Sequence, residues 1–444
     1  MLSFLLSRLA VVFVAFVAAA ASIIALLFIV FPRSAFEEKP SDFLPRDSTL
    51  AYFEFLDDRN AWIELVPDLR NLPAFAEGTS IALIRSPDVA GWVSFARTST
   101  DQNGRRVGLF TISTSSPELL ALITRRADRL SNLPILRQSN AKLQGAAQFY
   151  LRTDILPSPR SLGDDLFHAL MKDAQSIALH TSASGSVLLW ESDASNSETF
   201  SPWIEKTSDG TSLTLQNAEQ AWMNIIKTLE PATAHIVSSL AETAVREHFG
   251  KDISWTFDVL PLLQQRVTLT RKNTQSGSLF LIRGMHNASK ELQTTLEKMH
   301  TSVEAALPKS AIEKNIFDAR FSSERLLSNT SKIVKKTGKV NGWDVQDTTL
   351  TNGRGLVTAL RGKDFLVSND AAWIREPLKE TSPTLRKLPS QGTSILAGGQ
   401  TDAKAVHDRF KDSPLLHTLL PSNGEFHWSL EQRGNLMMLR WANR

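Results

Sequence analysis

Three short groups of residues have the types and the order that serine-nucleophile chemistry needs. Ser139-Asn140-Ala141-Lys142 sets a hydroxyl and an amine three residues apart, a spacing at which a lysine can take the hydroxyl proton. Ser208-Asp209-Gly210 and Lys336-Thr337-Gly338 follow in the chain, in the order of the second and third elements of such a site. With all three in place, Ser139 would attack an acyl carbon and hold the acyl group as an ester.

The surroundings weigh against that chemistry. A nucleophile of the penicillin-binding type opens a buried helix, whereas Lys142 is followed by Leu-Gln-Gly-Ala-Ala leading into a strand. Lys-Thr-Gly belongs on a strand in that arrangement. Here Leu326, Leu327, Ile333 and Val334 predict a helix over Ser323–Thr337, with Lys335 and Lys336 in its last turn and Gly338 as the residue that ends it. The nine histidines include no pair three or four apart, and His407, His417 and His427 lack a carboxylate at ligand spacing. With no cysteine, disulfides, thiolate zinc sites and a cysteine nucleophile are excluded. There is no Gly-x-Ser-x-Gly, phosphate-binding glycine loop or dinucleotide fingerprint. No catalytic, metal or cofactor-binding residue is therefore assigned, and no cofactor is expected. A serine-type envelope hydrolase using Ser139 and Lys142 stands as the alternative.

The strongest physical signal lies elsewhere. Leu9 to Phe31 runs without a charge, Pro or Gly, and Ser22 is its one polar side chain. As a helix it would reach about 34 Å, enough to cross a hydrocarbon core of ~30 Å. The apolar run is longer than the core of a cleaved signal peptide, so it reads as an uncleaved signal anchor. Residues 1–8 form a short cytoplasmic end, 9–31 a single-pass transmembrane helix and 32–42 a linker. The large domain is expected to be extracytoplasmic, at the cell membrane. Net charge of +3 gives no basic footprint for nucleic acid. The basic run Lys332–Lys339, with Arg125-Arg126 and Arg386-Lys387, reads as a solvated face. The ten tryptophans, among them Trp92, Trp190, Trp222, Trp428 and Trp441, fall on predicted strands and apolar helix faces and read as core.

What would position any site is a chain of α+β type. Strands are predicted at TSIALIR, GWVSFAR, RVGLFTIS, AAQFYLRTD, SIALHT and SVLLWES, with a helix capped by Ser116 between the third and fourth. Asn217–Glu230 and Pro231–Phe249 form two helices. Trp222, Ile225, Ile226 and Leu229 stripe the first, and Ile236, Val237, Leu240, Val245 and Phe249 stripe the second, which Gly250 ends. DVLPLLQQRVTLTRKNTQSGSLFLIRG gives two strands joined by a polar turn. A helix striped by Leu292, Leu296, Met299, Val303 and Leu307 follows. WDVQDTTL, GLVTALR and DFLVSN are strands, followed by a helix from Asp370 that Pro377 should break. TSILAGG, a helix with Val406 and Phe410, and a hairpin turning at Arg433-Gly434 close the chain. The Pro-rich stretch after Leu156 divides a first lobe, 43–152, from a larger second lobe, 153–444. Leu-Pro before a strand recurs at Leu44, Leu156, Leu388 and Leu420. A strand–strand–helix unit recurs before Ser116, Ser289 and Asp370, as in a diverged duplication.

Leu44-Pro45-Arg46-Asp47-Ser48-Thr49, Asp258-Val259-Leu260-Pro261-Leu262-Leu263 and Phe365–Asp370 resemble motifs of a bacterial family of membrane-anchored proteins defined as a domain of unknown function. Leu262 stands where that family usually has Trp, and Gln264 where it has Gly. The resemblance implies an envelope location and this architecture, with no activity attached. The combined expectation is a non-enzymatic binding or scaffold module. It would be held in the bilayer through Leu9–Phe31, with an envelope protein, lipid or wall component as partner. An apolar-ligand carrier is the other non-enzymatic alternative.

Overall fold

The computed structural model describes residues 39–54, 62–63, 65–76, 78–97, 104–124, 128–137, 147–159, 161–171, 173–182, 185–192, 203–205, 211–274, 277–306, 310–316, 322–328, 333–350, 354–379, 385–387, 394–409, 413 and 424–443. Leu9–Phe31, Ser139, Lys142 and Ser208–Gly210 lie outside them. Among the described residues no helix is long and apolar enough to cross a membrane. The fold is α+β with antiparallel strand pairing throughout the described ladders.

The first unit takes in the chain up to Leu156 and, after an excursion, Ser176–Ser182. Its strands are β1 (Thr49–Phe53), β2 (Ser80–Arg85), β3 (Ala90–Ala96), β4 (Arg105–Val107), β5 (Phe110–Thr114), β6 (Ala147–Arg152) and β7 (Ser176–Ser182). They pair in the order β7-β6-β1-β2-β3-β5-β4. Helix α1 (Pro117–Thr124) buries Leu119 and Ile123, and α2 (Pro134–Arg137) is a single turn. RVGLFTIS, expected as one strand, is two, because Gly108 at φ +58° turns the chain between β4 and β5. The Leu-Pro-Arg-Asp-Ser-Thr segment is a joint. The Thr49 hydroxyl donates to the Pro45 carbonyl at 2.7 Å, and the Leu44 carbonyl accepts from Leu130 N–H at 2.8 Å.

The second unit holds Pro157–Gln175 and the chain from Gly185 onward. Its strands are β8 (Gly185–Glu191), β9 (Trp203–Glu205), β10 (Thr211–Leu215), β11 (Val267–Thr274), β12 (Gly277–Met285), β13 (Ser310–Ile316), β14 (Ser322–Ser328), β15 (Ile333–Val340), β16 (Trp343–Leu350), β17 (Arg354–Arg361), β18 (Asp364–Asp370), β19 (Leu385–Lys387), β20 (Ser394–Asp402), β21 (Glu425–Arg433) and β22 (Leu436–Asn443). Its helices are α3 (Leu162–Leu170), α4 (Ala218–Thr228), α5 (Pro231–Phe249), α6 (Ser289–Ala306), α7 (Arg375–Lys379) and α8 (Ala403–Arg409). The main sheet runs β8-β22-β21-β20-β10-β11-β12-β18-β17-β16-β15. β9 pairs with β19 and β13 with β14 in two small ribbons.

Alternation decides what each face of this sheet meets. On one face Leu356, Phe365, Val367, Phe280 and Val267 pack with Leu292, Leu296, Met299 and Val303 of α6 and with Val245 and Phe249 of α5. On the other, Leu281, Val357, Ala359, Leu366 and Trp343 pack with Ile374 and with Leu378 of α7. The two strand–strand–helix units β11–β12–α6 and β17–β18–α7 meet through the β12–β18 ladder.

Four local expectations are corrected. The described residues of the stretch Ser323–Thr337 are not a helix but belong to β14 and the start of β15, and Gly338 is extended, opposite Val345. Ile333, Val334 and Thr337 are β-branched, and a full ladder with β16 outweighs the helical spacing. The helix expected from Asp370 begins at Arg375, because the Asp370 carboxylate accepts from Ala372 and Trp373 N–H at 2.9 and 2.8 Å and holds a turn instead. Pro377 lies inside α7 rather than breaking it, since its first turn needs no N–H donor there. The apolar stripe of α5 also divides. Val245 and Phe249 are buried, while Ile236 and Leu240, half a turn round, are 52% and 55% exposed.

Candidate functional site

Lys336-Thr337-Gly338 lies on an edge strand, not at a helix end, and its residues are exposed. Lys335 and Lys339 pair with Glu304 and Asp344 at 2.6 and 3.3 Å, as exposed cations on a sheet edge do. Among the described residues no group of three or more His, Asp or Glu side chains could hold a metal. His427 is buried on β21 and His407 lies on α8. Trp190 and Trp441 are in the core, and Trp92, Trp222 and Trp428 are half-buried.

Residues of the Asp258–Leu263 and Phe365–Asp370 segments act as joints. Asp258 closes a π-helical turn (Trp255–Val259) by accepting from Ser254 N–H at 2.8 Å, and both its oxygens lie within 2.7 Å of Lys298 Nζ on α6. Glu242 of α5 accepts from Trp255 N–H at 2.8 Å, which ties the same turn to a second helix. Asn369 lends β12 a pair of hydrogen bonds, accepting from Phe280 N–H and donating to the Ser278 carbonyl, both at 2.9 Å. The Asp258→Ala substitution should cost about 2–3 kcal/mol in urea unfolding, and Asp258→Asn roughly half, because an amide oxygen still accepts from Ser254.

Beneath α6 sits a second polar group. His300 is 3% exposed, with Nδ1 2.9 Å from the Thr348 hydroxyl and Nε2 2.8 Å from that of Thr358. Two hydroxyls satisfy a neutral ring, and burial alone pulls its pKa down to about 4.

A further buried polar group lies on the sheet between β22 and β11. Register puts Arg440, Ser429, Gly398, Thr214 and Thr268 in one row across five strands, and His427, Gln400, Ser212 and Thr270 in the next. All are buried, with Ser429 fully so and Ser212 and Thr214 at 1%. The Thr214 and Thr268 hydroxyls share a hydrogen bond at 3.0 Å, and the Ser212 hydroxyl accepts from Gln400 N–H at 3.2 Å. At the β21–β22 end, Glu431 is fully buried, and its Oε1 accepts from the Ser429 hydroxyl at 2.8 Å.

Arg440 completes that end. Its Nε lies 3.2 Å from Glu431 Oε1, off the line of a hydrogen bond, and its Nη2 donates to the Met438 thioether at 3.3 Å. Burial pulls the guanidinium below its usual range, against the pull of the Glu431 carboxylate. A covered sheet face is ordinarily apolar; this one can hydrogen-bond and carries a cation. Sequence reading missed it because His427, Ser429 and Glu431 alternate with Phe426, Trp428 and Leu430, which is the pattern of a solvent-facing polar side. The one signal available was a Glu and an Arg on the two arms of the hairpin, which the register sets at diagonal positions on one face, Glu431 opposite Met438 and Arg440 opposite Ser429.

No protein-family model, curated protein or solved structure matches the chain.

Proposed function

We propose that this is a single-pass, membrane-anchored protein of the cell envelope, with its folded units extracytoplasmic, that works by binding and not by chemistry. Its ligand is held on the polar rows of the second unit's sheet. The single observation behind this reading is the set of buried hydroxyl, amide, imidazole and guanidinium groups on a sheet face, where folding alone is served better by apolar side chains. The apolar run Leu9–Phe31 supports the anchor, and the resemblance of three motifs to a membrane-anchored family supports the location. The paired strand–strand–helix units support a duplicated origin.

Native mass spectrometry of the full chain, extracted from membranes in mild detergent, should show a polar species that leaves on denaturation. A tightly held lipid in its place would favour the apolar-ligand carrier. The serine-hydrolase reading keeps one observation in its favour, since Lys336-Thr337-Gly338 lies on a strand as that chemistry requires. A fluorescent β-lactam should leave the chain unlabelled. A covalent adduct lost in Ser139→Ala would replace the binding reading with acyl transfer. Recovery of the mature chain in a water-soluble fraction would remove the anchor.

A further inference from the structure

We propose that the Arg440 end of the polar rows is an anion site, built for an oxyanion of phosphate or carboxylate type; this rests on the binding reading above. A guanidinium has five N–H donors and normally spends them in pairs on oxygen when it is taken out of water. Arg440 is 8% exposed, yet one donor meets a thioether, a weak acceptor, and another faces a carboxylate out of line. Of its nitrogens, Nε is fully buried and has no hydrogen-bond partner. Buried polar groups left this way are rare, and a missing partner is a standard reason for them. The Nη edge, held in the fold by no stronger acceptor than a thioether, matches the two oxygens of a planar or tetrahedral anion.

The neighbours suit such a guest. Ser429 stands directly opposite Arg440 on β21, and His427 and Gln400 follow on the same face, so hydroxyl, imidazole and amide groups lie beside the cation. Glu431 sets the charge balance. It keeps the empty site neutral, so the cation is not stranded when the guest leaves, and it opposes a second negative charge when the guest arrives. An interior built only to pair Arg440 with Glu431 would align the two as a fork, with both oxygens on two nitrogens. Here Glu431 divides its Oε1 between Arg440 and Ser429 instead.

Calorimetric titration of the full chain in detergent, at constant ionic strength, tests this with inorganic phosphate and with acetate as separate probes. Wild type should bind one equivalent of at least one probe, and the stronger probe identifies a phosphoryl or a carboxyl guest. Glu431→Gln should bind that probe about tenfold more tightly, because the opposing charge is gone. Arg440→Gln strands a buried carboxylate and can fail to fold. The informative partner is therefore Glu431→Gln combined with Arg440→Met, which removes both charges together. That double variant should lose the binding seen in Glu431→Gln by at least about a hundredfold. Equal binding by both variants, or no binding of either probe by Glu431→Gln, overturns the anion site. A polar species still seen by native mass spectrometry would then leave the broader binding reading standing, and its absence as well would remove both.

Discussion

Replacing Phe365 with alanine should cost the second unit about 4 kcal/mol, the upper range for a buried aromatic. The ring is 1% exposed in the core that joins the sheet to α6, and it lies across Gly284 of the neighbouring strand. A methyl group added at Gly284 would come within 2.5 Å of the ring's Cζ and 2.6 Å of Cε1. The glycine is there to admit the ring, and the ring covers backbone that the glycine leaves bare. Gly284→Ala should therefore cost about 1–3 kcal/mol by overpacking. Combined with Phe365→Leu, it should cost less than the sum of the two by about 1 kcal/mol, since the smaller side chain leaves room. Urea unfolding followed by tryptophan fluorescence reads the wild type, each single variant and the double variant. Strict additivity would mean that ring and glycine do not share the space.

Acid should weaken the same unit through the His300 imidazole. His300 has a folded pKa of about 4, below its ordinary value of 6.5, with burial as the cause. The folded ring is neutral where the unfolded one is already protonated. Its contribution is therefore complete above pH 6.5 and falls away as the pH drops toward 4. The loss over that window is about 3 kcal/mol at 1.36 kcal/mol per pKa unit. His300→Gln should keep a hydrogen-bonding group between Thr348 and Thr358, lose some stability at pH 7, and remove this part of the pH dependence. A wild-type and a His300→Gln curve of the same slope between pH 6.5 and 4 would show that the ring is not neutral in the fold.

The elements most legible in sequence were those with local chemistry to mark their ends. Asn217 caps α4 by accepting from Gln220 N–H, Pro231 opens α5, and Gly250 ends it at φ +91°. The β21–β22 hairpin turns at Gly434-Asn435, with Gly434 at φ +58°, one residue on from the expected dipeptide. Misreadings came where non-local contacts decide. β15 has few buried side chains to give a period of two, so only its ladder with β16 defines it. Ile236 and Leu240 fit a helical stripe in sequence, but the sheet touches the opposite side of α5. The candidate site was illegible for a related reason. Alternation of polar and apolar residues tells which side of a strand is polar, not whether that side is covered. Asp258 and Asn369 gave no hint of their roles as joints, because their partners are 40 and 89 residues away.

The position of β7 has a consequence for how the protein is made. This strand completes the first unit's ladder beside β6, yet the chain supplies it only after Pro157–Gln175 has been spent on the other unit. Delivery end-first, from a ribosome or through an export pore, at ~5–20 residues per second leaves β6 waiting on the order of seconds. During that wait its outer N–H and C=O groups are open to any passing strand. Nascent copies emerging side by side are thus able to cross-pair before either can pair with itself, which makes spacing between successive chains a requirement of correct biogenesis.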